Sequence, residues 1–367
     1  MIKLLESLGS KVKYLKNKNS ISIHNDRKIK TFVAYNLVKT MRAGILVLGP
    51  MLARFGKAKV STPGGCSIGI RPIDIHLKSL VKLGVKYKII DGYVHAYSNK
   101  KLKGTKIKFP KISVGATENL IIASSMAEGK TILSNCAIEP EIKDLINFIN
   151  SIGGNIKWIG KRTLRIFGVN KFRESKYEIM PDRIEAGTYL IAGAITQGNI
   201  KVTGIDPNII KTEIDILKKI GAKIHLEKKQ IKIIGSKIIK NINIKTSPYP
   251  GFPTDLQAQL MVLLCKAKKY SVIVENIFEN RFMHVAELNR MGAKIKIKGN
   301  KAIISGNTNF QGAEVMATDL RASVSLIIAA LTSREKSIIN RIYHLDRGYE
   351  QIERKLRKLG AKIKRIS

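Results

Sequence analysis

The chain repeats one short pattern six times: an amphipathic helix ends at a glycine, and a strand with alternating apolar residues follows. A glycine directly after an apolar helical stripe is typical of a left-handed helix stop, because a residue without Cβ adopts positive φ at little cost. The six glycines lie 68–75 residues apart and are Gly9, Gly84, Gly153, Gly221, Gly292 and Gly360. This period is longer than that of the short solenoid repeats, so each copy is predicted to be a small α/β module.

Smaller signals predict the elements within one copy. In the third copy Pro140 suits the first position of a helix, and an apolar stripe leads from there to Gly153. In each later copy an earlier helix is predicted to begin near a polar residue, namely Arg42, Ser113, Asp182, Asp255 or Asp319. Each copy is then a βαβαββ-type unit, with three units to a domain. Gly9 lies near the end of its unit, so the first unit is expected to be incomplete and the chain N-terminally truncated.

The repeat also predicts two domains. Three units end near residue 168, and the expected domains are residues 1–175 and 176–367. Helix N-termini offer N–H donors and the positive end of the helix dipole to anions, and many distinctive polar residues stand there. The pattern favours an anion site built from helix starts, although Asp182, Asp255 and Asp319 would serve equally well as helix caps or first-turn acids.

Composition disfavours two kinds of partner. The formal net charge is +39, but the lysines are spread along the chain, and Lys294, Lys296 and Lys298 alternate with isoleucine as on the wet face of a strand. Only 6% of the residues are aromatic, so a nucleic-acid partner is not favoured. The longest apolar run, residues 43–53, is too short to cross a bilayer, so no membrane partner is expected.

The cysteines and histidines indicate no metal site. Cys66, Cys136 and Cys265 lack the spacing of metal ligands and fit a reducing compartment, so the cytoplasm is expected. The six histidines form no i, i+3 or i, i+4 pair. We therefore expect neither a metal ion nor a cofactor.

One loop is suited to present a thiol. Residues 62–69 read Thr62-Pro63-Gly64-Gly65-Cys66-Ser67-Ile68-Gly69, and the proline and three glycines disfavour helix and strand and predict a mobile loop. Arg71 follows five residues after Cys66, and its charge would favour the thiolate and bind an anion. A lone cysteine more often packs as a small apolar residue, but these neighbours make Cys66 a candidate for chemistry.

This loop, with Arg71-Pro72-Ile73-Asp74 after it, resembles the mobile loop of the UDP-N-acetylglucosamine enolpyruvyl transferases (1-carboxyvinyltransferases). Further segments resemble that family in the same order along the chain: residues 37–43, 113–117, 252–259, 278–285, 317–323 and 346–350. The resemblance implies an α/β fold of two inside-out α/β barrel domains with three repeated units each, in agreement with the period above. It implies two small-molecule substrates, phosphoenolpyruvate and UDP-N-acetylglucosamine, and a monomer is expected.

The resemblance also implies an activity, transfer of the enolpyruvyl group of phosphoenolpyruvate to the 3′-hydroxyl of UDP-N-acetylglucosamine with release of phosphate. This is the first committed step of peptidoglycan synthesis. Attack of a hydroxyl on C2 needs a base for the hydroxyl proton and an acid that protonates C3. Asp255 matches the family's base, and Cys66 matches its proton donor, the thiol that fosfomycin alkylates. Arg347 completes the catalytic set, and fosfomycin sensitivity is expected.

Substrate-binding residues carry over in the same way. Phosphoenolpyruvate brings a carboxylate and a phosphate, and the planar fork of arginine suits both groups. The residues matched to phosphoenolpyruvate are Arg42, Arg71, Arg281, Arg321 and Asp319. Those matched to UDP-N-acetylglucosamine are Arg71, Pro72, Ile73, Asp74, Ile75, Lys111, Ser113, Val114, Asp255 and Ile277. The loop over residues 62–72 is expected to close on the bound sugar nucleotide and exclude water.

One segment of the family has no counterpart here. The family carries Gly-Ala-Lys-Asn-Ala near its N-terminus, whose lysine and asparagine contact the substrates, whereas Lys18-Asn19 lies in a polar turn without that context. Its absence predicts weak substrate binding and a poor catalyst. Two other interpretations stay open: an enzyme like 5-enolpyruvylshikimate-3-phosphate synthase, and a noncatalytic remnant that binds anions or nucleic acid through its basic surface.

Overall fold

The computed structural model describes residues 1–15, 20–25, 29–39, 41–62 and 73–366, with the side chain of Arg42 left out. The chain divides into two compact units, of which the first ends at Ile179 and the second begins at Met180. Residues 168–182 form neither helix nor strand. The unit boundary therefore falls in an irregular stretch, four residues beyond the position expected from the repeat.

The first unit contains six α-helices, one 3-10 helix and ten strands among its described residues. The α-helices are α1 (Ile2–Ser7), α2 (Tyr35–Val38), α3 (Leu48–Phe55), α4 (Asp74–Lys82), α5 (Val114–Ser124) and α6 (Pro140–Ser151), and the 3-10 helix is Arg42–Val47. The strands are β1 (Ser10–Leu15), β2 (Ser20–Asn25), β3 (Phe32–Val33), β4 (Lys57–Ser61), β5 (Lys86–Ile90), β6 (Tyr93–Tyr97), β7 (Lys106–Lys108), β8 (Lys130–Ser134), β9 (Asn155–Gly160) and β10 (Thr163–Phe167).

The second unit has the same kinds of element. Its α-helices are α7 (Arg183–Ile195), α8 (Lys211–Ile220), α9 (Gln257–Cys265), α10 (Val285–Arg290), α11 (Leu320–Ala330) and α12 (Ile352–Lys358). Its 3-10 helices are Pro207–Ile210, Thr254–Leu256 and Ile342–Arg347. Its strands are β11 (Asn199–Thr203), β12 (Lys223–Glu227), β13 (Gln230–Ile234), β14 (Asn243–Lys245), β15 (Ser271–Val274), β16 (Ile295–Lys298), β17 (Lys301–Ile304), β18 (Glu314–Met316) and β19 (Ile338–Asn340).

The predicted βαβαββ unit is confirmed. In the third copy the chain runs β7-α5-β8-α6-β9-β10, and the sheet order is β7-β8-β10-β9. The first two strands are parallel and the other pairs antiparallel, because a helix crosses between β7 and β8 while a tight turn joins β9 to β10. The same order recurs as β3-β4-β6-β5 and β14-β15-β17-β16, and shorter forms are β11-β13-β12, β18-β19 and β1-β2.

The six repeat glycines all have left-handed backbone, with φ between +91° and +116°. Gly221 directly follows α8, and its N–H donates to the carbonyl of Lys218. The helix-start predictions hold as well, since Pro140 is the first residue of α6 and Asp182 is the N-cap of α7. These local signals are therefore sufficient to place the repeat.

Two helices contribute to the larger hydrophobic clusters, α5 in the first unit and α9 in the second. Helices α5 and α9 are apolar around most of their circumference, which is typical of a helix buried on all sides. Each nevertheless contains a fully buried amide side chain, Asn119 in α5 and Gln259 in α9. Buried polar groups need hydrogen-bond partners, so these residues tie the cores to the polar sites described below.

Candidate active site

Two arginines of the second unit bind one aspartate. Arg281 Nη2 lies 2.7 Å from Asp255 Oδ1, and Arg321 Nη2 lies 3.1 Å from Asp255 Oδ2. The two arginine side chains are 5% and 14% exposed, whereas that of Asp255 is 41% exposed. Withdrawal of the guanidinium groups from water strengthens their attraction to the carboxylate. Because Asp255 keeps contact with solvent, it can still accept a proton from a bound hydroxyl group.

Helix starts bring these residues together, as the repeat indicates. Asp255 lies in the 3-10 helix Thr254–Leu256 directly before α9, and Arg321 lies in the first turn of α11. Asp319 is the N-cap of α11, and its Oδ1 accepts hydrogen bonds from the N–H groups of Arg321 (2.8 Å) and Ala322 (3.1 Å). Asp319 is predicted to bind phosphoenolpyruvate, and one of its carboxylate oxygens therefore caps the helix that carries Arg321.

A buried phenol holds Arg321 at a second point. Nη1 of Arg321 donates a 3.3 Å hydrogen bond to the hydroxyl of Tyr349, and the guanidinium carbon lies 5.8 Å from the centroid of the tyrosine ring. Burial opposes the charge of Arg321, but the charge and hydrogen bond of Asp255, together with Tyr349 and Asp182, outweigh it and raise the pKa of this guanidinium. Sequence reasoning missed Tyr349, although it lies in a segment, residues 346–350, that carried the family resemblance.

A buried carboxylate joins the turn of Asp255 to the loop of Ile277. Glu275 Oε2 accepts a 2.8 Å hydrogen bond from the hydroxyl of Thr254, and Oε1 accepts 2.7 Å and 2.8 Å bonds from the N–H of Ile277 and the hydroxyl of Thr246. The backbone N–H of Ile277, a residue matched to the sugar nucleotide, is therefore directed to Glu275. Sequence reasoning missed Glu275, although an acidic residue at the end of an apolar strand was a signal for it.

Two histidines lie beside these charged groups. Burial lowers the pKa of His284 to about 4. The charge of Asp319 and a hydrogen bond with the backbone of Arg281 oppose this shift, and the charge of Arg281 adds to it. The buried imidazole is therefore uncharged at neutral pH. Burial and then the charge of Arg347 lower the pKa of His344 as well. Arg347 is exposed and is the last residue of the 3-10 helix Ile342–Arg347, which also contains His344.

The first unit carries residues matched to the sugar nucleotide at the start of α4. The side chains of Ile73 and Ile75 are buried in the hydrophobic core, so only their backbone groups are left to contact a ligand. The first N–H groups of a helix have no partner within the helix, which suits such a contact. Asp74 is the first residue of α4, and its Oδ2 pairs with Lys78 at 3.6 Å.

The start of α5 carries the remaining matched residues of the first unit. Ser113 is the N-cap, and its Oγ accepts a 3.3 Å hydrogen bond from the N–H of Ala116. Lys111 and Val114 flank this cap and are exposed. The structure therefore gives Ser113 a local role in the helix and leaves its two neighbours accessible to a ligand.

Asn119 links three segments of the first unit and was also missed. Its Oδ1 accepts a 2.7 Å hydrogen bond from the N–H of Gly49, and its Nδ2 donates to the carbonyl of Ile45 at 3.2 Å. The same Nδ2 lies 3.1 Å from His76 Nδ1 in α4. Ile45 belongs to the 3-10 helix Arg42–Val47, so Asn119 fixes the backbone that carries Arg42 against α4. The signal for it was a lone amide within an apolar helix.

Several predicted site residues lie outside the described residues. These are Cys66, Arg71 and Pro72, together with the side chain of Arg42 and most of the loop over residues 62–72. Their roles stay predictions. Among the residues that the structure does describe, no group of three His, Cys, Asp or Glu side chains is placed to hold a metal ion. Within the same ranges, no helix combines the length and apolarity needed to span a bilayer.

Comparison with known proteins identifies the family. The model of the family described as EPSP synthase (3-phosphoshikimate 1-carboxyvinyltransferase) matches residues 1–356. The chain belongs to the EPSP synthase family. The chain is 72% identical to a UDP-N-acetylglucosamine 1-carboxyvinyltransferase of Pelagibacter ubique, over 100% of this chain and 88% of the relative. It is 50% identical to the enzyme of the same name from Trichlorobacter lovleyi, over 100% of this chain and 87% of the relative.

Solved structures give the fold of this EPSP synthase family member. The enolpyruvyl transferase NikO from Streptomyces tendae aligns with a TM-score of 0.86 at 22% identity, over 99% of this chain and 86% of that one. EPSP synthase from Acinetobacter baumannii aligns with a TM-score of 0.73 at 20% identity, over 99% of this chain and 87% of that one. The expected enolpyruvyl transferase fold is therefore confirmed.

Proposed function

We propose that this chain transfers the enolpyruvyl group of phosphoenolpyruvate to the 3′-hydroxyl of UDP-N-acetylglucosamine and releases phosphate. The observation that carries the proposal is the carboxylate of Asp255 held by Arg281 at 2.7 Å and Arg321 at 3.1 Å. A half-exposed carboxylate beside fixed guanidinium groups suits a reaction between a neutral hydroxyl and a multiply charged anion. The 72% identical relative is named for this activity, which supports the same assignment here.

The proposed chemistry has two steps. In the first, the hydroxyl oxygen bonds to C2 of phosphoenolpyruvate while Asp255 accepts the hydroxyl proton, and the electrons of the C2=C3 bond take a proton at C3 from an acid. In the second, the conjugate base of that acid takes a proton from C3, the C2=C3 bond forms again, and phosphate leaves with the electrons of its bond to C2. Arginines stabilise the phosphate and carboxylate charges throughout, because their N–H groups are fixed in direction.

The other roles in this proposal come from the family resemblance. Cys66 is the proposed acid for C3, and Arg347 the proposed partner of the departing phosphate. Phosphoenolpyruvate is proposed to bind Arg42, Arg71, Arg281, Arg321 and Asp319. UDP-N-acetylglucosamine is proposed to bind Arg71, Pro72, Ile73, Asp74, Ile75, Lys111, Ser113, Val114, Asp255 and Ile277. We further propose that the chain acts as a cytoplasmic monomer in peptidoglycan synthesis and is inhibited by fosfomycin.

Phosphate release tests the activity directly. Phosphoenolpyruvate is supplied with UDP-N-acetylglucosamine in one assay and with shikimate 3-phosphate in a second. Phosphate release in the first assay alone supports the proposal. Release in the second alone would instead establish the activity that names the family model. Release in neither assay would overturn the proposal.

The variant Asp255→Asn tests the role of the carboxylate. The amide keeps the size of the side chain but cannot accept the hydroxyl proton, so kcat is expected to fall by at least about 100-fold. Asp206→Asn is the matched control, because Asp206 caps the 3-10 helix Pro207–Ile210 and asparagine caps equally well. Equal activity of Asp255→Asn and the control would remove Asp255 from the mechanism.

A further inference from the structure

A chain of hydrogen bonds runs from Asp255 into helix α7 of the second unit. Arg321 donates from Nη2 to Asp255 Oδ2 at 3.1 Å and from Nη1 to the Tyr349 hydroxyl at 3.3 Å. The Tyr349 hydroxyl in turn lies 2.9 Å from Thr188 Oγ1, and both side chains are buried. The guanidinium group is therefore held at two points, by the carboxylate on one side and by the phenol on the other.

Counting protons fixes the direction of each bond. The Thr188 hydroxyl has one proton and donates it to the carbonyl of Ile184 at 2.8 Å, so its oxygen is an acceptor toward Tyr349. The Tyr349 proton therefore points to Thr188, and both lone pairs of the phenol oxygen are left for donors. Arg321 Nη1 is one such donor, and Gln259 Nε2, at 3.4 Å, is the other.

Gln259 is the weaker of the two donors to the phenol. Its Nε2 has two protons and three acceptors within reach, and the carbonyl of Asp255 at 3.1 Å and Thr188 Oγ1 at 3.2 Å are both nearer than Tyr349. The phenol oxygen is thus mainly an acceptor for Arg321. Burial is the largest cause of a raised pKa of Tyr349, so the hydroxyl keeps its proton at neutral pH.

Local packing places the phenol where it can reach the guanidinium group. Tyr349 follows Gly348, and a Cβ at Gly348 would lie 2.9 Å from Cδ2 of Leu320, the residue before Arg321. A larger residue at position 348 would therefore have to displace the Leu320 side chain, whereas glycine leaves it in place. The glycine thus favours the observed packing of the Tyr349 segment beside the start of α11.

We propose that Tyr349 is a positioning residue whose hydroxyl, anchored on Thr188, holds the guanidinium of Arg321 against Asp255. The inference rests on the proposed function in one respect, the role of Asp255 as the base. Tyr349 itself contacts neither the carboxylate of Asp255 nor, in this proposal, a substrate. Its effect on the reaction passes through Arg321.

Tyr349→Phe tests the proposal because it keeps the ring and removes the acceptor. We expect kcat to fall about tenfold while KM for UDP-N-acetylglucosamine changes less than about twofold, since the lost bond orients Arg321, a proposed ligand of the other substrate. Thr188→Val removes the hydroxyl that anchors Tyr349, so it breaks the same chain of hydrogen bonds and should also lower kcat. Thr188→Ser keeps the hydroxyl and should restore nearly the full rate. The double variant with Tyr349→Phe and Thr188→Val should be no slower than Tyr349→Phe alone, because both changes interrupt the same chain of hydrogen bonds.

Thr196→Val is the matched control. Thr196 follows α7 directly, and its hydroxyl donates to the carbonyl of Ala192 at 2.7 Å in the same i−4 arrangement as Thr188. This control is expected to leave kcat unchanged. Additive losses in the double variant, or an equal loss in Thr196→Val, would overturn the proposal and leave Tyr349 a packing residue.

A measurement that needs no substrate separates this proposal from the proposed function. In NMR spectra of the arginine side chains, Arg321 should show separate Nη1 and Nη2 signals in the wild-type protein and averaged signals in Tyr349→Phe. If the wild type releases no phosphate, the proposed function fails and these spectra decide the positioning role. Averaged Arg321 signals in the wild type, or unchanged signals in Tyr349→Phe, would overturn it.

Discussion

The buried carboxylate of Glu275 accepts a 2.8 Å hydrogen bond from the hydroxyl of Thr254, the residue that precedes Asp255. Its other oxygen accepts from the N–H groups of Ile277 and Phe278 at 2.7 Å and 3.3 Å. One side chain thus sets the position of the turn that carries the proposed base and of the loop that leads to Arg281. Carboxylates that accept several hydrogen bonds out of contact with water contribute strongly to local order.

Glu275→Gln is expected to lower the free energy of unfolding by about 2 kcal/mol, because the amide turns a donor toward groups that themselves donate. Urea denaturation of both proteins measures the difference. Glu335→Gln is the matched control, since Glu335 also accepts a backbone N–H, that of Gly312 at 2.8 Å, but at an exposed position. A control that loses as much stability as Glu275→Gln would contradict the expectation.

Acid is expected to destabilise the second unit through His284. Its pKa is about 4 in the folded chain, against 6.5 for an ordinary histidine, so between these values the unfolded chain binds a proton that the folded chain does not. Stability is therefore full above pH 6.5 and falls as the pH is lowered, by about 3 kcal/mol at pH 4. His284→Gln removes this titration, and its unfolding free energy should depend less steeply on pH over that range.

The first unit is expected to show the opposite dependence through Glu118. Burial, and after it the charges of Glu141 and Glu139, raise the pKa of Glu118 from 4.5 to about 7. The folded chain then holds a proton that the unfolded chain releases, so stability falls as the pH rises from 4.5 to 7.

Glu118→Gln checks this dependence, since the amide cannot ionise. At pH 8 the variant should be more stable than the wild type by roughly 2–3 kcal/mol, and the difference should vanish near pH 4. Glu128→Gln, at an exposed position of the same unit, serves as the control and should leave the pH dependence unchanged. A variant that is less stable than the wild type at pH 8 would contradict the expectation.

Fosfomycin is expected to modify one cysteine. Burial raises the pKa of the thiols of Cys136 and Cys265 to about 12, so neither forms the reactive thiolate at neutral pH. Peptide mass spectrometry should therefore find the adduct on Cys66, and Cys66→Ala should take up none. An adduct on either buried cysteine in the folded protein would contradict this prediction.

The glycine signals were sufficient for the architecture because they are local. A helix stop at Gly221 or a cap at Asp182 depends on the few residues around it, and the same local chemistry recurs in every copy. Polar residues within the largely apolar helices were also visible, among them Asn119 in α5 and Thr188 in α7. The repeat even aligns them, since each lies six residues after its helix cap. Their partners could not be predicted, because pattern alone does not say what a buried amide or hydroxyl faces.

The amino-acid sequence by itself determined the period and the βαβαββ unit, and its resemblance to a family predicted Asp255, Arg281 and Arg321 as site residues. Only the tertiary structure decided that Arg321 is shared between Asp255, 66 residues away in the chain, and Tyr349, 28 residues away. It also decided that Thr188 anchors that tyrosine across 161 residues. Helix and turn preferences act over a few residues, whereas a contact between distant side chains exists only after whole elements have packed, and packing is set by the complete core.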